Sequence, residues 1–195
     1  IEGYAAQEQL VGGVETLFKT SSDTVVGYAN DAYKTAGMSA NEYMETVTSF
    51  SASLLASMNN DTAATAEKAN VAITDMSDNA NKMGTDISLI QNAYNGFAKQ
   101  NYTMLDNLKL GYGGTKEEMQ RLLDDASKLS GIKYDISSYS DVVDAIHVVQ
   151  TEMGITGTTA KEASTTIEGS VSSMSSAWDN WVAGMADSEA NFSQL

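Results

Sequence analysis

The few residues of this chain that could do chemistry begin with the stretch NLKLGYGGTKEEMQRLL, residues 107–123, where Gly111, Gly113 and Gly114 precede Thr115 and Lys116. These are the ingredients of a loop that cradles phosphate. Such a loop needs a lysine and then a hydroxyl residue after its last glycine, so that backbone amides, ammonium and a metal-binding hydroxyl converge on one phosphate chain. Here Thr115 comes before Lys116, and the carboxylate of Glu117 follows, where it would repel the phosphate. No β-branched apolar strand leads into the loop, since MLDNLKL reads as helix. The stretch reads better as a helix-loop-helix joint. Thr115 followed three residues later by Glu118 is the capping-box pattern, in which the threonine oxygen takes a free amide at the helix start and the glutamate reaches back to the threonine amide. Gly111 is expected to close the preceding helix in a left-handed conformation.

The remaining candidates for catalysis are equally sparse. His147 is the single imidazole of the chain, and a catalytic histidine needs a nucleophile or an orienting carboxylate beside it. Asp144, one helical turn earlier, could supply the carboxylate, but such pairs are common on helix surfaces, and His147 reads as a solvated or packing residue. Asp124 and Asp125 are adjacent and point about 100° apart on a helix, too far to share a metal or a proton, and are expected to face water. NNDTAATAE lacks the carboxylates and central glycine of a calcium loop. Aromatic residues without basic neighbours make no platform for nucleic acid. The residues indicate no catalytic site, no metal site and no cofactor site.

The elements that hold these residues must be helices. A chain of 195 residues can bury a real core, and its length fits one large or two small domains. Average usage would give about ten prolines, and there are none, which fits helices joined by glycine. Cysteine is also absent, which removes disulfides and thiolate metal sites and leaves the redox compartment open. A formal charge of −15 opposes direct attraction to nucleic acid phosphates or anionic lipid. No apolar run approaches the roughly 18 residues of a bilayer span, and no signal segment opens the chain. Because it begins at Ile1 rather than at methionine, the chain is expected to be a segment of something longer.

Helical units follow one another. After the cap Ser39, with Glu42 at the third helical position, Tyr43, Val47, Phe50, Leu54 and Met58 mark one apolar face. From near Asp61, Ala69, Ala72, Ile73, Met76, Ala80 and Met83 repeat the pattern; Gly84 stops it, and Thr85 is expected to open the next unit, with Ile87, Ile90, Tyr94 and Phe97. Beyond the glycine loop, Met119, Leu122, Leu123, Ala126 and Leu129 form a stripe ending at Gly131. In IKYDISSYSD, Ile132, Tyr134 and Ile136 alternate as an extended connector that has no partner strand. Ser138 or Ser140 then begins a helix with Val142, Ile146, Val149 and Met153 on one face.

The C-terminal segment is the most regular. Ile167, Val171, Met174, Trp178, Trp181 and Met185 follow a sustained seven-residue repeat, interrupted at Ser188 and restored by Phe192 and Leu195. This seam either fills a core against the other helices or mediates an interaction. At the other end, Leu10, Val14 and Leu17, then Val25, Ala29 and Ala36, indicate two helices, the first weakened by Gly12 and Gly13 by about 1 kcal/mol each. The expected organisation is therefore all-α: an N-terminal helical segment over residues 1–36, and over 37–195 a multi-helix array or bundle with glycine-rich joints and a long C-terminal helix.

Beyond periodicity, long phrases of the chain resemble one family. YKTAGMSANEYMETVTSFSASLLASM, then ITDMSDNANKMGTDISLIQNAYNGFAKQNYTMLDNLKLGYGGTKEEMQRLL, then DVVDAIHVVQTEMGITGTTAKEASTTIEGSVSSM and the closing AWDNW are similar to the phage tail tape-measure protein. The resemblance covers the chain from about Leu17 to Trp181. It implies a structural segment of a much longer protein of a long-tailed phage or prophage. In that family the tape lies in the tail tube, sets tail length during assembly and leaves ahead of the DNA. The implied partners are other tape-measure chains, tail tube proteins and tail assembly chaperones, with membrane contact only through other parts of the full-length protein. The implied location is the virion, after synthesis in the host cytoplasm. No catalytic residue of the family maps onto this segment. The competing class is a helical binding or pore-forming module, which should expose a long apolar hairpin that this sequence lacks.

The C-terminal seam yields the first prediction. If Trp178 fills a monomeric core, Trp178→Ala lowers stability by about 3–5 kcal/mol; if the seam mediates self-association, the variant loses mass while keeping its helices. Thermal melting and light scattering decide between these outcomes, and unchanged stability with unchanged mass would refute both.

Overall fold

A computed structural model of the chain describes residues 2–166, and every regular element among them is helical. The seam residues Ile167, Val171, Met174, Trp178, Trp181 and Met185 lie outside the described residues.

Helix α1 (Glu2–Phe18) runs unbroken through Gly12 and Gly13, and a short 3-10 turn (Lys19–Ser21) joins it to α2 (Ser22–Thr35). A Cβ at Gly13 would make ordinary van der Waals contact with the Thr48 methyl of the next long helix at 3.5 Å, so packing does not demand a glycine there. Helix α3 (Ala40–Ser57) starts at Ser39, whose hydroxyl accepts the Glu42 amide at 3.1 Å. Helix α4 (Thr62–Met83) starts at Asp61, which accepts the Ala64 amide at 3.1 Å, and stops at Gly84 in the left-handed conformation.

The next helix corrects one expectation. Helix α5 (Ile87–Ala98) is capped by Asp86, not Thr85, because the carboxylate reaches the Ser88 amide at 2.9 Å and is the stronger acceptor. Helix α6 (Lys116–Ser130) ends at left-handed Gly131. The following connector has no regular structure before a turn at Ile136 and Ser137, with Tyr134 buried and its neighbours Lys133 and Asp135 exposed. Helix α7 (Tyr139–Glu152) starts at Ser138, which accepts the Asp141 amide at 3.3 Å, and a short turn leads to α8 (Thr158–Thr166).

The apolar stripes read from the sequence converge on one cluster that includes Val14 and Phe18 of α1, Tyr43 and Phe50 of α3, Tyr94 and Phe97 of α5, Leu122 of α6 and Ile146 of α7. Leu129 and Met153, expected on those stripes, are instead exposed at the ends of α6 and α7, where the helix leaves its neighbours. At the centre is α4, which packs against α1, α2, α3, α5, α7 and α8. Every residue from Ala69 to Asn79 is buried, so its polar side is enclosed as fully as its apolar one.

The segment between α5 and α6 departs furthest from expectation. MLDNLKL forms only one 3-10 turn (Leu105–Leu108), and Lys109, not Gly111, takes the left-handed position that ends it. Gly111 is also left-handed, at φ +94°, but within the loop. Gly114 is needed for a different reason: a Cβ there would sit 2.3 Å from the Thr103 carbonyl oxygen, a clash with backbone. Gly114→Ala is therefore expected to destabilise the protein by more than about 2 kcal/mol. Gly113→Ala, whose Cβ would meet only the Glu118 side chain at 3.7 Å, is the control. Denaturant melts giving equal midpoints for the two variants would disprove this account of the loop.

Candidate functional site

The residues with chemical potential gather in three places, the first being the polar side of α4. Asp75, only 1% exposed, sits with both carboxylate oxygens 2.9–3.0 Å from His147 Nδ1 of α7. That geometry suits a protonated Nδ1 donating to the carboxylate. The sequence offered Asp144 for this role, but Asp144 receives the Lys68 ammonium at 2.7 Å, and Lys68 also donates to Ser140 at 2.8 Å. The histidine is thus a packing residue whose carboxylate comes from a different helix.

The seam continues along α4. Gln150 Nε2 donates to the Asp75 carbonyl at 3.2 Å, and its side-chain oxygen accepts Asn79 Nδ2 at 2.8 Å, which also meets the Leu108 carbonyl at 2.9 Å. Nearer the α4 N-terminus, the Tyr43 hydroxyl donates to Asn70 at 2.6 Å. Asp78 accepts the Gly157 amide at 2.8 Å and the Thr159 amide at 2.9 Å, so a carboxylate on α4 caps the start of α8. Burial pushes the Asp78 carboxyl up to about 6, against the opposing pull of those two amides and with some help from the charge of Asp75. Burial, followed by the charges of Asp75, Tyr139 and Asp78, holds the Tyr94 phenol well above its ordinary range.

An Asp–His pair can orient an imidazole for proton transfer, but only where a reactant can reach it. Here the histidine is buried, and the cleft described below is not lined by either residue. The chemistry that this geometry carries is adhesion between α4, α7 and α8.

The second place is the glycine loop. Thr115 accepts the Glu118 amide at 3.2 Å, as its spacing requires, but Glu118 does not return to the Thr115 amide. Its carboxylate turns to the Gly113 amide at 3.2 Å and to the Arg121 guanidinium at 2.6 and 3.0 Å. The Arg121 and Gly113 hydrogen bonds hold Glu118 down to about 2. Arg121 also donates to the Gly111 carbonyl at 2.8 Å and lies 4.3 Å over the Tyr112 ring. Asp125, expected in water, accepts the Tyr112 hydroxyl at 2.5 Å, and burial together with that bond raises the phenol to about 12. The loop is lashed to α6, and the Gly113 amide that a phosphate would need is already engaged.

The third place is a cleft of about 900 Å³ between the α2–α3 turn, α3, α4, α5 and α8. Its wall includes Glu42 and Glu45 of α3, Glu162 of α8 and the side chains of Gln91, Asn92 and Asn95 of α5, with no lysine or arginine. Ser77 of α4 lines it with 6% exposure and a hydroxyl that has no partner. Of the cap residues read from the sequence, Ser39, Glu42, Thr115 and Glu118, only Glu42 lines this cleft; Ser39 and Thr115 accept amides at helix starts, and the Glu118 carboxylate holds the glycine loop.

The seam residues Asp75, Asp78, Asn79 and Gln150 escaped the periodicity reading because they are polar. A signal was present, since no lysine, arginine or glutamate lies between Lys68 and Lys82, which is unusual for a helix with a face in water. Among the described residues, no group of three or more acidic, histidine or cysteine side chains could hold a metal ion, and no helix is long and apolar enough to cross a membrane. Comparison with protein families, with curated proteins and with solved structures finds no match to this chain.

The pH response follows from Asp78. Its folded value, about 6, lies above its ordinary 3.8, so the stabilisation linked to protonation is complete below about pH 4 and is lost as pH rises through 6. The stability of the wild type relative to Asp78→Asn is expected to fall by about 2 kcal/mol between pH 4 and pH 7. Glu118 works in the opposite sense, its contribution being lost as pH falls from 4.5 towards 2, and it cancels in the comparison. Parallel thermal melts across this range test the point, and a difference independent of pH would refute it.

Proposed function

We propose that this chain is a segment of a phage tail tape-measure protein, which helps to set tail length during assembly and leaves the tube ahead of the DNA. The observation that carries this reading is the resemblance of three long phrases, beginning at Tyr33, Ile73 and Asp141, to that family. In this reading the helices form an array with glycine-rich helix-loop-helix joints and a long C-terminal helix bearing the Trp178 and Trp181 seam. Its partners are other tape-measure chains, tail tube proteins and assembly chaperones, and its place is the lumen of the tail tube.

The polar centre of the fold supports a chain with two forms. An extended tape of 195 residues in one helix would reach about 290 Å, whereas a folded chain of this size has a radius of gyration of about 16 Å. Unpacking a helix buried on all sides would normally expose only apolar groups. When α4 is unpacked, water regains Asn70, Thr74, Asp75, Ser77, Asp78 and Asn79, which offsets part of the cost of exposing Ile73 and Met76. Absence of cysteine leaves no cross-link to oppose extension, and the acidic charge repels the DNA that would follow.

The deciding experiment is an in-frame deletion of residues 40–152 in the phage or prophage that encodes the chain, with tails measured by electron microscopy. At 1.5 Å per helical residue the tails should shorten by about 170 Å, and duplication of the same span should lengthen them equally. Tails of unaltered length in both strains would refute the proposal.

A further inference from the structure

Helix α4 treats the polar groups of its two halves differently. In the first half they are partnered: Thr65 donates to the Met58 sulfur at 3.5 Å, the Asn70 side chain accepts the Tyr43 hydroxyl at 2.6 Å, and Thr74 donates to the Asn70 carbonyl at 2.9 Å. In the second half the carboxylates of Asp75 and Asp78 are partnered, but Ser77 Oγ and Asn79 Oδ1 are buried without a hydrogen bond. Thr85 Oγ1, just beyond the end of α4, and Tyr94 Oη, on the neighbouring α5, share that condition. Tyr94 is fully buried, and its phenol lies within the field of Asp75 and Asp78.

A polar atom shut away from water without a partner keeps its desolvation cost and gains nothing in return. Four such atoms in one region hold that region below the stability its apolar contacts alone would give. The cost is local, because the first half of α4 and the whole of α3 carry none of these atoms among the described residues. Water relieves it. An opening that parts the second half of α4 from α5 therefore recovers free energy that an opening of the first half does not.

We propose that the contact between the C-terminal half of α4 and α5 is the point at which this bundle opens, its unpaired polar groups making the folded form yield there before it yields at α3. The inference concerns the folded chain itself and stands whether or not the chain serves in a phage tail.

Two conservative substitutions test it, each removing one buried tyrosine hydroxyl and little else. Tyr43→Phe breaks the bond to Asn70 and should lower the thermal midpoint by about 2–4 °C, whereas Tyr94→Phe removes an unpaired hydroxyl and should raise it by a similar amount. Ser77→Ala should raise the midpoint by more than Ser51→Ala, since both gain the same helix propensity and only Ser51 surrenders a bond, to the Val47 carbonyl. Native-state hydrogen exchange then locates the opening. Amides of residues 77–83 and 90–97 should be at least about tenfold less protected than those of 66–74 and of α3. Tyr94→Phe should raise the protection of the first group severalfold, while Tyr43→Phe should lower that of α3 and leave the first group unchanged. The proposal is overturned if Tyr94→Phe lowers the midpoint as Tyr43→Phe does, because its hydroxyl would then be satisfied in the folded protein. It is equally overturned if both groups of amides share one protection factor, which would mean that the bundle opens only as a whole.

Discussion

Removing the carboxylates of Asp75 and Asp78 from water carries a large desolvation cost, and the placement of α7 and α8 on the bundle follows from how the chain offsets it. Asp75 is matched by His147, so α7 must present that imidazole to α4 at one register. Asp78 is matched by the amides of Gly157 and Thr159, so the turn after α7 must bring the start of α8 to the same helix. Gln150 and Asn79 link the two arrangements through side-chain amides that can be satisfied in few orientations. Apolar packing alone would tolerate sliding of α7 along α4. The hydrogen-bonded seam does not, since a shift of one turn would strand several buried polar groups together.

The same seam divides the molecule into parts of different character. Around α3, α5 and α6 the contacts are chiefly aromatic and aliphatic, with Tyr43, Phe50, Tyr94, Phe97 and Leu122 fully or almost fully enclosed. Around α8 the described contacts include polar ones, from Asp78 to the amides of Gly157 and Thr159 and from Asn81, which donates to Glu162 at 2.8 Å. A polar attachment exchanges readily for water, whereas an apolar one resists opening by the area that it would expose. Helix α8 also forms one wall of the acidic cleft.

Charge acts at a second scale. The net charge is −15, and two ion pairs use charge locally: Lys68 joins α4 to α7 through Asp144, and Arg121 ties Glu118 to the glycine loop. The exposed Arg121–Glu118 pair fixes the path of a loop more than it stabilises the fold. The less exposed Lys68–Asp144 pair is screened less by water and shares its ammonium with Ser140, which makes it a register pin in the same sense as the Asp75–His147 pair.

Local signals decided the helices. Caps at Ser39 and Thr115, helix starts near Asp61 and at one of Ser138 and Ser140, glycine stops at Gly84 and Gly131, and apolar stripes on α3, α5, α6 and α7 are legible in the sequence, because each depends on residues within one or two turns. Where two local solutions compete, the reading slips by a residue or two, as at Thr85 against Asp86, or at Gly111 against Lys109. Glu118 illustrates a larger limit: its spacing from Thr115 was visible, but its carboxylate had a choice of donors, and Arg121 with Gly113 won. The partner of His147, the burial of the polar side of α4, the capping of α8 by Asp78 and the acidic cleft all join residues more than 30 positions apart. Sequence periodicity records which side of a helix is apolar. Whether its polar side meets water or other helices depends on how many helices surround it, and only the tertiary structure decides that.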